Sequence, residues 1–319
     1  MCYFDEKDLV EVNCNLCGKS ETKFITLRPD GLKVVGCLNC GLAYLNPRPK
    51  DHIISKLYDR EYYQGGDYLK SYWISDYFEE TKKSLENKTH FGFKLISKIA
   101  KYKELKDSKL LDVGCAFGAF LIIARSHGSK PEGIELSDFS AIRGREGFGL
   151  EIKTGTLESA HYPKRYFDIV TMFELIEHLP DPSAFFKEVH KILKNNGLIC
   201  ISTPNYHCHL KYGKKWLGFT ISFEHIFFFD ENSIRALLRK TGFEVIHSET
   251  IEEIGPLHRA IIFNEKRRRK FFRLRNSLSR NSFLFPLVRY FWRICNYAQI
   301  RLNEKAGFGH RLLVMARKR

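Results

Sequence analysis

Four cysteines form two matched C-x-x-C-G turns near the start of the 319-residue chain. Nineteen residues separate the two pairs, and thiolates at this spacing can close a tetrahedral site around one zinc ion. The protein then fills every ligand position, so the predicted zinc is structural. A redox role for either pair is the alternative, but two matched pairs favour one shared ion. The predicted ligands are Cys14, Cys17, Cys37 and Cys40.

A second chemically informative segment is LLDVGCAFGAFL, which starts at Leu110. An apolar strand leads through Asp112 into a turn of small residues, and an apolar helix follows. The small residues are Gly114, Ala116 and Gly118, and they allow the backbone to approach a ligand closely. Ligands in parallel sheets bind where the carboxyl end of a strand meets the start of a helix. The segment therefore predicts a ligand site.

Glu135 ends the next apolar strand, twenty-three residues after Asp112. A carboxylate at this position can accept hydrogen bonds from both hydroxyls of a ribose, which indicates a nucleoside-like cofactor. A dinucleotide is the alternative, but the turn lacks the G-x-G-x-x-G order, and Asp112 would repel a pyrophosphate. The same acid suits the positive ammonium and sulfonium groups of S-adenosylmethionine.

These residues resemble the class I S-adenosylmethionine-dependent methyltransferases, whose D-x-G-x-G-x-G turn matches Asp112, Gly114 and Gly118, with Ala116 replacing the middle glycine. Two later blocks, at 167–182 and 193–205, resemble the ubiquinone-biosynthesis O-methyltransferases within that family. The resemblance implies that the chain binds S-adenosylmethionine. It also implies further cofactor contacts, namely Gly155, Thr156, Leu157, Phe173 and Glu174.

Glu174, Glu177 and His178 have a spacing that would place them on one face of a helix. In the ubiquinone-type enzymes the matching E-x-x-E-H group is associated with a divalent metal, which could orient a vicinal diol. Two alternatives stay open for His178. It can act as a base or cofactor contact, or it can belong to a hydrogen-bond network that caps the helix.

The segment 204–230 follows the predicted fifth strand of this fold and is the expected acceptor-binding loop. Its block of Trp216 followed by Glu224 and His225 resembles bacterial methyltransferases encoded with glycan-biosynthesis enzymes. We therefore predict that His225 removes a proton from the acceptor. The alternative is that His225 anchors the loop by hydrogen bonds. The ligand-like spacing at 207–209 is weak evidence, and no metal is predicted there.

The net charge of +15 is concentrated at one end of the chain. Residues 264–319 hold sixteen Lys or Arg against two Glu, a net of +14, so the preceding part is nearly neutral. This distribution disfavours a nucleic-acid-binding surface on the catalytic part. A basic amphipathic helix is expected at 283–302. It can pack on the domain or at a dimer interface, lie on an anionic membrane, or bind nucleic acid.

Strands that alternate with helices predict a Rossmann-like α/β fold with a seven-stranded, mostly parallel sheet. We expect a zinc ribbon at 1–50, a helical linker at 51–104 and a methyltransferase domain at 105–319, in which 249–310 is a basic helical insertion before the last strand. Helices are predicted at 75–102 and 184–194. The predicted strands are Lys109–Val113, Lys130–Glu135, a short one near Ile152, Phe167–Met172, Leu198–Ser202, Phe243–Ser248 and Arg311–Ala316.

These patterns predict a cytoplasmic enzyme that methylates a small molecule or glycan, with a saccharide, as a nucleotide sugar or lipid-linked glycan, as the favoured acceptor. Peripheral contact with the inner face of the membrane through the basic tail is a further expectation. A ribbon ahead of such a domain also resembles the sugar C-methyltransferases, although their C-terminal domain is not evident. The alternative functions are RNA methylation and a non-enzymatic scaffold that recruits partners.

Overall fold

The computed structural model describes residues 4–56, 76–220, 224–252 and 300–319. The basic cluster at 266–270 and most of the amphipathic segment at 283–302 lie outside the described residues, as does the tyrosine-rich stretch at 58–72. None of the helices within the described ranges combines the length and apolar character that crossing a bilayer requires.

The N-terminal part is built from short antiparallel strands and one helix. Its elements are β1 (Leu9–Val10), β2 (Thr22–Leu27), β3 (Lys33–Cys37), β4 (Ala43–Leu45), β5 (Arg48–Pro49) and α1 (Asp51–Lys56). The C-x-x-C-G turns lie just before β2 and directly after β3, which places the two turns near each other. Gly18 and Gly41 close these turns with φ values of +77° and +79°, which glycine adopts without steric cost.

Two helices, α2 (Tyr77–Glu86) and α3 (Gly92–Ile99), lead into the main domain. The sequence predicted a helical stretch over about 75–102, and the structure divides it into these two helices. Lys88 has a φ of +52°, outside the helical region, and the His90 ring accepts a hydrogen bond from the Gly92 amide. The chain therefore breaks between the two helices and changes direction there.

The main domain contains the remaining elements of the chain. They are β6 (Lys109–Val113), α4 (Ala119–Ser126), β7 (Lys130–Glu135), α5 (Asp138–Phe148), β8 (Ile152–Thr154), β9 (Phe167–Phe173), α6 (Pro182–Ile192), β10 (Leu193–Pro204), α7 (His209–Tyr212), α8 (Leu217–Thr220), β11 (Phe227–Phe228), α9 (Glu231–Lys240), β12 (Phe243–Ile251) and β13 (Arg311–Lys318). All seven predicted strands are present. The predicted helix over 184–194 begins and ends two residues earlier, because the buried Leu193 already pairs with Phe167 of β9.

These strands form a seven-stranded sheet in the order β12-β13-β10-β9-β6-β7-β8. Only β13 runs against its neighbours within the described sheet. The chain leaves β6 towards β7 and β8, and then crosses to β9 on the other side. The order therefore reverses beside β6, and a ligand is expected at the carboxyl ends of the strands at this point.

The ribbon is not packed as a separate domain. Strand β11, which follows β10 along the chain by more than twenty residues, is the last strand of the ribbon's sheet, in the order β11-β4-β3-β2. Buried residues of both parts, including Cys14, Tyr44, Phe185 and Phe227, belong to one hydrophobic core. The predicted boundary at residue 50 therefore divides the sequence, whereas the core is continuous across it.

Candidate functional site

The glycine turn lies at the carboxyl end of β6, where the strand order reverses. Gly118 precedes the first residue of α4 and has a φ of +82°. The sequence predicted that a side chain at Gly118 would collide with a ligand. In the structure, a Cβ at this position would instead lie 2.3 Å from Cδ1 of Leu150. This glycine therefore brings the turn against the core, so its residue type is explained by packing within the protein. Gly114, with a φ of +71°, similarly faces Leu175.

Glu135 is buried at the end of β7, and its carboxylate organises the turn. Oε2 accepts a 2.9 Å hydrogen bond from the amide of Ala116, and Oε1 accepts one of 2.9 Å from the amide of Ser137. Each carboxylate oxygen has two lone pairs, so both can also accept from ribose hydroxyls. Glu135 lines a cavity of about 1090 Å³ together with Asp112, Gly114 and Ala116. The predicted cofactor residues thus meet at one wall of this cavity.

Asp112 is buried beside the turn, and its Oδ1 accepts a 2.6 Å hydrogen bond from the hydroxyl of Thr171. Burial raises the pKa of Asp112 to about 7, and the nearby charge of Glu135 adds to this rise. The bond from Thr171 opposes it. A cation bound at this wall would favour the ionised form of Asp112, because it would supply an opposite charge in a poorly solvated place.

The other predicted cofactor contacts line the same cavity. They are Gly155, Thr156, Leu157, Phe173 and Glu174. Gly155, which follows β8, donates its amide to the main-chain oxygen of Glu135 at 2.8 Å. The ring of Phe173 packs edge-on against Phe120 of α4, with their centroids 4.8 Å apart. The structure therefore places the predicted set around one space that a nucleoside could fill.

The segment from Glu174 to His178 is a turn, so the predicted helical face was wrong. Glu174 adopts a φ of +51°, and its carboxylate accepts a 2.8 Å hydrogen bond from Ser202 and lies 3.2 Å from Nε of Arg311. Glu177 points elsewhere and accepts a 2.8 Å hydrogen bond from the hydroxyl of Thr203. The two glutamates thus do not present their carboxylates together.

The carboxyl of Glu177 instead meets two imidazoles. Its Oε1 lies 3.7 Å from Nε2 of His178 and 4.0 Å from Nε2 of His225, and the two rings pack edge-on at 4.7 Å. One ligand atom from each residue lies within 4.8 Å of the others, so this trio could hold a divalent cation. Within the described residues, Oε1 of Glu177 and Nδ1 of His225 have no hydrogen-bond partner.

Burial controls the protonation of this trio. Burial lowers the pKa of His178 to about 4. It also lowers the pKa of His225 well below its ordinary value, and the charges of His178, Arg28 and His310 lower it further. Burial also raises the pKa of Glu177 well above its usual range, and the charge of Glu174 raises it further. The imidazoles are therefore neutral near pH 7, which is the form that can accept a proton.

His225 reaches the cavity from the segment between α8 and α9. Glu224 and His225 line the cavity together with His178 and the cofactor turn. The other histidines of the acceptor loop lie elsewhere: the ring of His207 contacts Phe308, and Nδ1 of His209 donates to the main-chain oxygen of Tyr206 at 2.7 Å. The two histidines that the sequence singled out for chemistry are thus brought together, and their neighbours in the loop are not.

The four ribbon cysteines also converge. Sγ of Cys14 lies 3.4 Å from Sγ of Cys40, and the same distance separates Cys17 from Cys37. All four sulfurs lie within 4.8 Å of one another. A tetrahedral zinc with bonds of roughly 2.3 Å requires sulfurs about 3.8 Å apart. The thiols therefore fit a four-thiolate zinc site.

Several cavity residues were missed by the sequence reasoning. Asp51 and His52 come from α1, Tyr77 from α2, and His310 and Arg311 from the start of β13. Strand β13 runs against β10, so its first residue lies at the carboxyl ends of the parallel strands. That antiparallel pairing is a signal that could have identified His310 and Arg311. The positions of α1 and α2 relative to the turn have no signal in the sequence.

Comparison with known proteins agrees with this geometry. The family profile described as "Methyltransferase domain" matches residues 84–248, which is just over half of the chain. A ubiquinone biosynthesis O-methyltransferase of Idiomarina loihiensis is 32% identical over 124 residues, covering 37% of this chain and 49% of that protein. The enzyme of the same name from Yersinia enterocolitica is 29% identical, with 38% and 50% covered. The chain thus spans about half the length of these curated relatives.

Solved structures are similar in fold. A Haloferax volcanii protein described as a methyltransferase, solved with the Trm112 methyltransferase activator, superimposes with a TM-score of 0.52 at 15% identity, over 76% of this chain and 94% of that one. An S-adenosylmethionine-dependent methyltransferase of Archaeoglobus fulgidus gives 0.48 at 19% identity, with 71% and 92% covered. With the profile matching more than half of its length, the chain belongs to the methyltransferase domain family of enzymes and has the class I, S-adenosylmethionine-dependent fold.

Proposed function

We propose that this protein transfers a methyl group from S-adenosylmethionine to a hydroxyl of a saccharide, either a nucleotide sugar or a lipid-linked glycan. One observation carries the proposal. A single cavity of about 1090 Å³ is lined at one wall by the cofactor residues Asp112 and Glu135, and at another by His178 and His225. Pockets for one small ligand typically measure roughly 300–1,000 Å³, so this cavity has room for a cofactor and an acceptor.

The acceptor wall is rich in groups that form hydrogen bonds. Glu224 and His225 line it, and His52, His310 and Arg311 are further polar residues of the cavity lining. Such a lining suits a polyhydroxylated acceptor, because glutamate and histidine side chains form hydrogen bonds with hydroxyls. The relatives are named O-methyltransferases, which supports oxygen as the acceptor atom.

His225 is assigned the role of general base. When bound, S-adenosylmethionine would supply a methyl group attached to a positively charged sulfur, and this sulfur would become a neutral thioether on transfer. The acceptor oxygen forms the new bond to the methyl carbon, and its proton passes to a nitrogen of His225. Oε1 of Glu177 lies 4.0 Å from Nε2 of His225, so a positive charge on the imidazole would favour ionisation of this carboxyl, whose pKa burial otherwise raises. The residues otherwise contribute by aligning the two reactants.

We also propose that Cys14, Cys17, Cys37 and Cys40 hold one structural zinc. The support is the close approach of their four sulfurs, described above. All four ligand positions would be occupied by thiolates, so this ion would have no position for substrate. Its contribution would be to stabilise the turns that carry β2, β3 and β4.

A second candidate acceptor is a hydroxyl compound of quinone biosynthesis. The names of the curated relatives favour it. Against this stands the resemblance of the Trp216 and Glu224–His225 block to glycan-associated methyltransferases, since Glu224 and His225 of this block line the cavity. Both candidates keep oxygen as the acceptor atom, and they differ in the acceptor that the cavity must hold.

A radiolabelled methyl-transfer screen tests the proposal. S-adenosylmethionine with a tritiated methyl group is incubated with nucleotide sugars, lipid-linked glycan extracts, prenylated phenols and RNA. We expect label in a saccharide fraction, and loss of this label with His225→Gln. Label confined to phenols would favour the second candidate, and label confined to RNA would contradict both. A protein that binds the cofactor but labels none of these fractions would also refute the saccharide proposal.

A further inference from the structure

The turn between β2 and β3 contains a fully buried ion pair. Arg28 donates from Nε to Oδ1 of Asp30 at 3.1 Å, and Nη2 of Arg28 contacts the other carboxylate oxygen. Both side chains have no exposed surface. Burying two charges costs free energy, and apolar residues of similar volume often stabilise a fold as well or better. A role in positioning other groups would explain this arrangement.

A further hydrogen bond of Arg28 shows what it positions. Nη1 donates a 2.7 Å hydrogen bond to the main-chain oxygen of His225, from the other end of the sequence. The bond joins a ribbon turn to the acceptor wall of the cavity. Because the donor is charged and buried, this bond is stronger than one between neutral groups.

The same short segment is held from two further directions. On the ribbon side, the amide of Leu45 donates to the main-chain oxygen of Ile226 at 2.9 Å, and β11 continues as the partner of β4. On the side of the main domain, the amides of Ile226 and Phe227 donate to the main-chain oxygen of Glu177 at 2.9 and 3.1 Å. The backbone of His225 thus lies between the ribbon and the turn that carries Glu177.

We propose that Arg28 is a positioning residue that fixes the backbone at His225, so that the ribbon determines where the imidazole lies in the cavity. The consequence for catalysis rests on the proposed function, whereas the positioning itself does not. Nε2 of His225 and Oε1 of Glu177 are 4.0 Å apart. Small displacements of reacting groups can lower a reaction rate by large factors. The ribbon is then a part of the acceptor site.

The test removes the donor without leaving a lone buried charge. In Arg28→Met/Asp30→Asn, the asparagine keeps an oxygen that can accept from the Leu32 amide, as Asp30 does at 3.3 Å. Arg28→Lys is the conservative variant, since it keeps the charge and a donor. Arg48→Met is the matched control, because Arg48 is a ribbon arginine that bonds Asp51 and the Pro49 oxygen instead.

Hydrogen exchange of the full-length protein, followed by mass spectrometry, measures the positioning directly. In the double variant we expect roughly tenfold faster exchange in the peptide 224–229, the factor for losing one hydrogen bond to a charged group. Arg28→Lys should restore part of the protection. The peptide 109–118 and the Arg48→Met protein should exchange as wild type. Unchanged exchange in 224–229, or uniformly faster exchange over the whole chain, would overturn the proposal.

A second readout separates this proposal from the proposed function. With an acceptor from the screen, the double variant should lose at least tenfold in kcat while the Kd for S-adenosylmethionine, measured by calorimetry, stays within twofold. Unchanged kcat despite faster local exchange would refute His225 as the base and leave the positioning by Arg28 supported. Unchanged kcat together with unchanged exchange would overturn the positioning itself.

Discussion

Nη1 of Arg28 lies 2.7 Å from the main-chain oxygen of His225, although the two residues are 197 positions apart in the sequence. This bond crosses between the ribbon and the acceptor wall. Asn15 makes a similar connection at the first C-x-x-C turn, where its side-chain amide donates to Asp181 at 2.8 Å and its side-chain oxygen accepts from the Ser183 amide. Order in the ribbon is therefore linked by direct hydrogen bonds to both the acceptor wall and the start of α6.

If the four ribbon cysteines hold zinc, as proposed, loss of this ion should affect the whole protein. We expect about one zinc per chain by elemental analysis, absent in Cys37→Ser. That variant should also unfold at a lower temperature, because the ribbon shares its core with the main domain. Cys208→Ser, which changes a buried cysteine outside the ribbon, is the control and should keep its zinc. A stoichiometric zinc content in Cys37→Ser would contradict the four-thiolate site.

Glu135→Gln should weaken the binding of S-adenosylmethionine by roughly 10- to 100-fold, the range expected for losing a hydrogen bond to a charged group. The amide also presents a donor to Ala116 or Ser137, each of which now donates to the carboxylate. Isothermal calorimetry measures the Kd. Glu132→Gln, three residues earlier in the same strand and outside the cavity lining, should bind as wild type. Equal affinities for the two variants would refute the role of Glu135.

Cofactor affinity should depend on pH through Asp112. Burial, with the charge of Glu135, raises the pKa of this carboxyl to about 7, so the free protein holds Asp112 largely neutral below that pH. A cationic cofactor favours the ionised form. Its affinity should therefore fall roughly tenfold for each pH unit below 7 and level off above 7. Calorimetry between pH 5.5 and 7.5 tests this, and Asp112→Asn should give a weaker affinity with little pH dependence.

The sheet could be predicted because each strand has a local signal. The run Lys109–Val113 is mostly apolar and leads into a glycine turn, and Lys130–Glu135 ends in buried residues before the next helix. The acids near their ends indicate the edge where a ligand is expected. The sequence therefore identified residues that the fold brings together around one cavity, whereas their contacts with a cofactor stay a prediction. The acceptor wall depends on pairing between distant segments, such as β11 with β4, and two-residue strands have no detectable period.

The sequence identified Gly118 as a special position, but it did not reveal why a glycine is needed there. Gly118→Val should disturb the packing of the turn against the core, besides any effect on a bound ligand. A side chain there would meet Leu150 and Ile152 of the core, at a φ that valine avoids. Glu174–His178 is a similar case, because helical spacing was present but the chain turns at a positive φ.

The membrane contact predicted for the basic tail can be tested separately. If the cluster at 266–270 contacts an anionic membrane, replacing its five cations should weaken co-sedimentation with vesicles of phosphatidylglycerol. Each lost cation should reduce the binding free energy by about 1 kcal/mol at low salt. Vesicles of phosphatidylcholine are the control, and both proteins should remain in the supernatant there. Equal sedimentation of the wild type and the variant with anionic vesicles would contradict the membrane role of this cluster.

His225→Gln separates catalysis from binding. If the imidazole removes the acceptor proton, kcat should fall by roughly 10²- to 10⁴-fold, because glutamine cannot accept that proton. The Kd for S-adenosylmethionine should stay nearly unchanged, since the cofactor residues lie at the other wall of the cavity. His207→Gln is the matched control, because His207 belongs to the same loop but contacts Phe308. A kcat for His225→Gln within threefold of the His207→Gln value would show that another group, or solvent, takes the proton. Loss of cofactor binding in His225→Gln would instead show that His225 acts on the cofactor wall, and the assignment of the two walls would then be wrong.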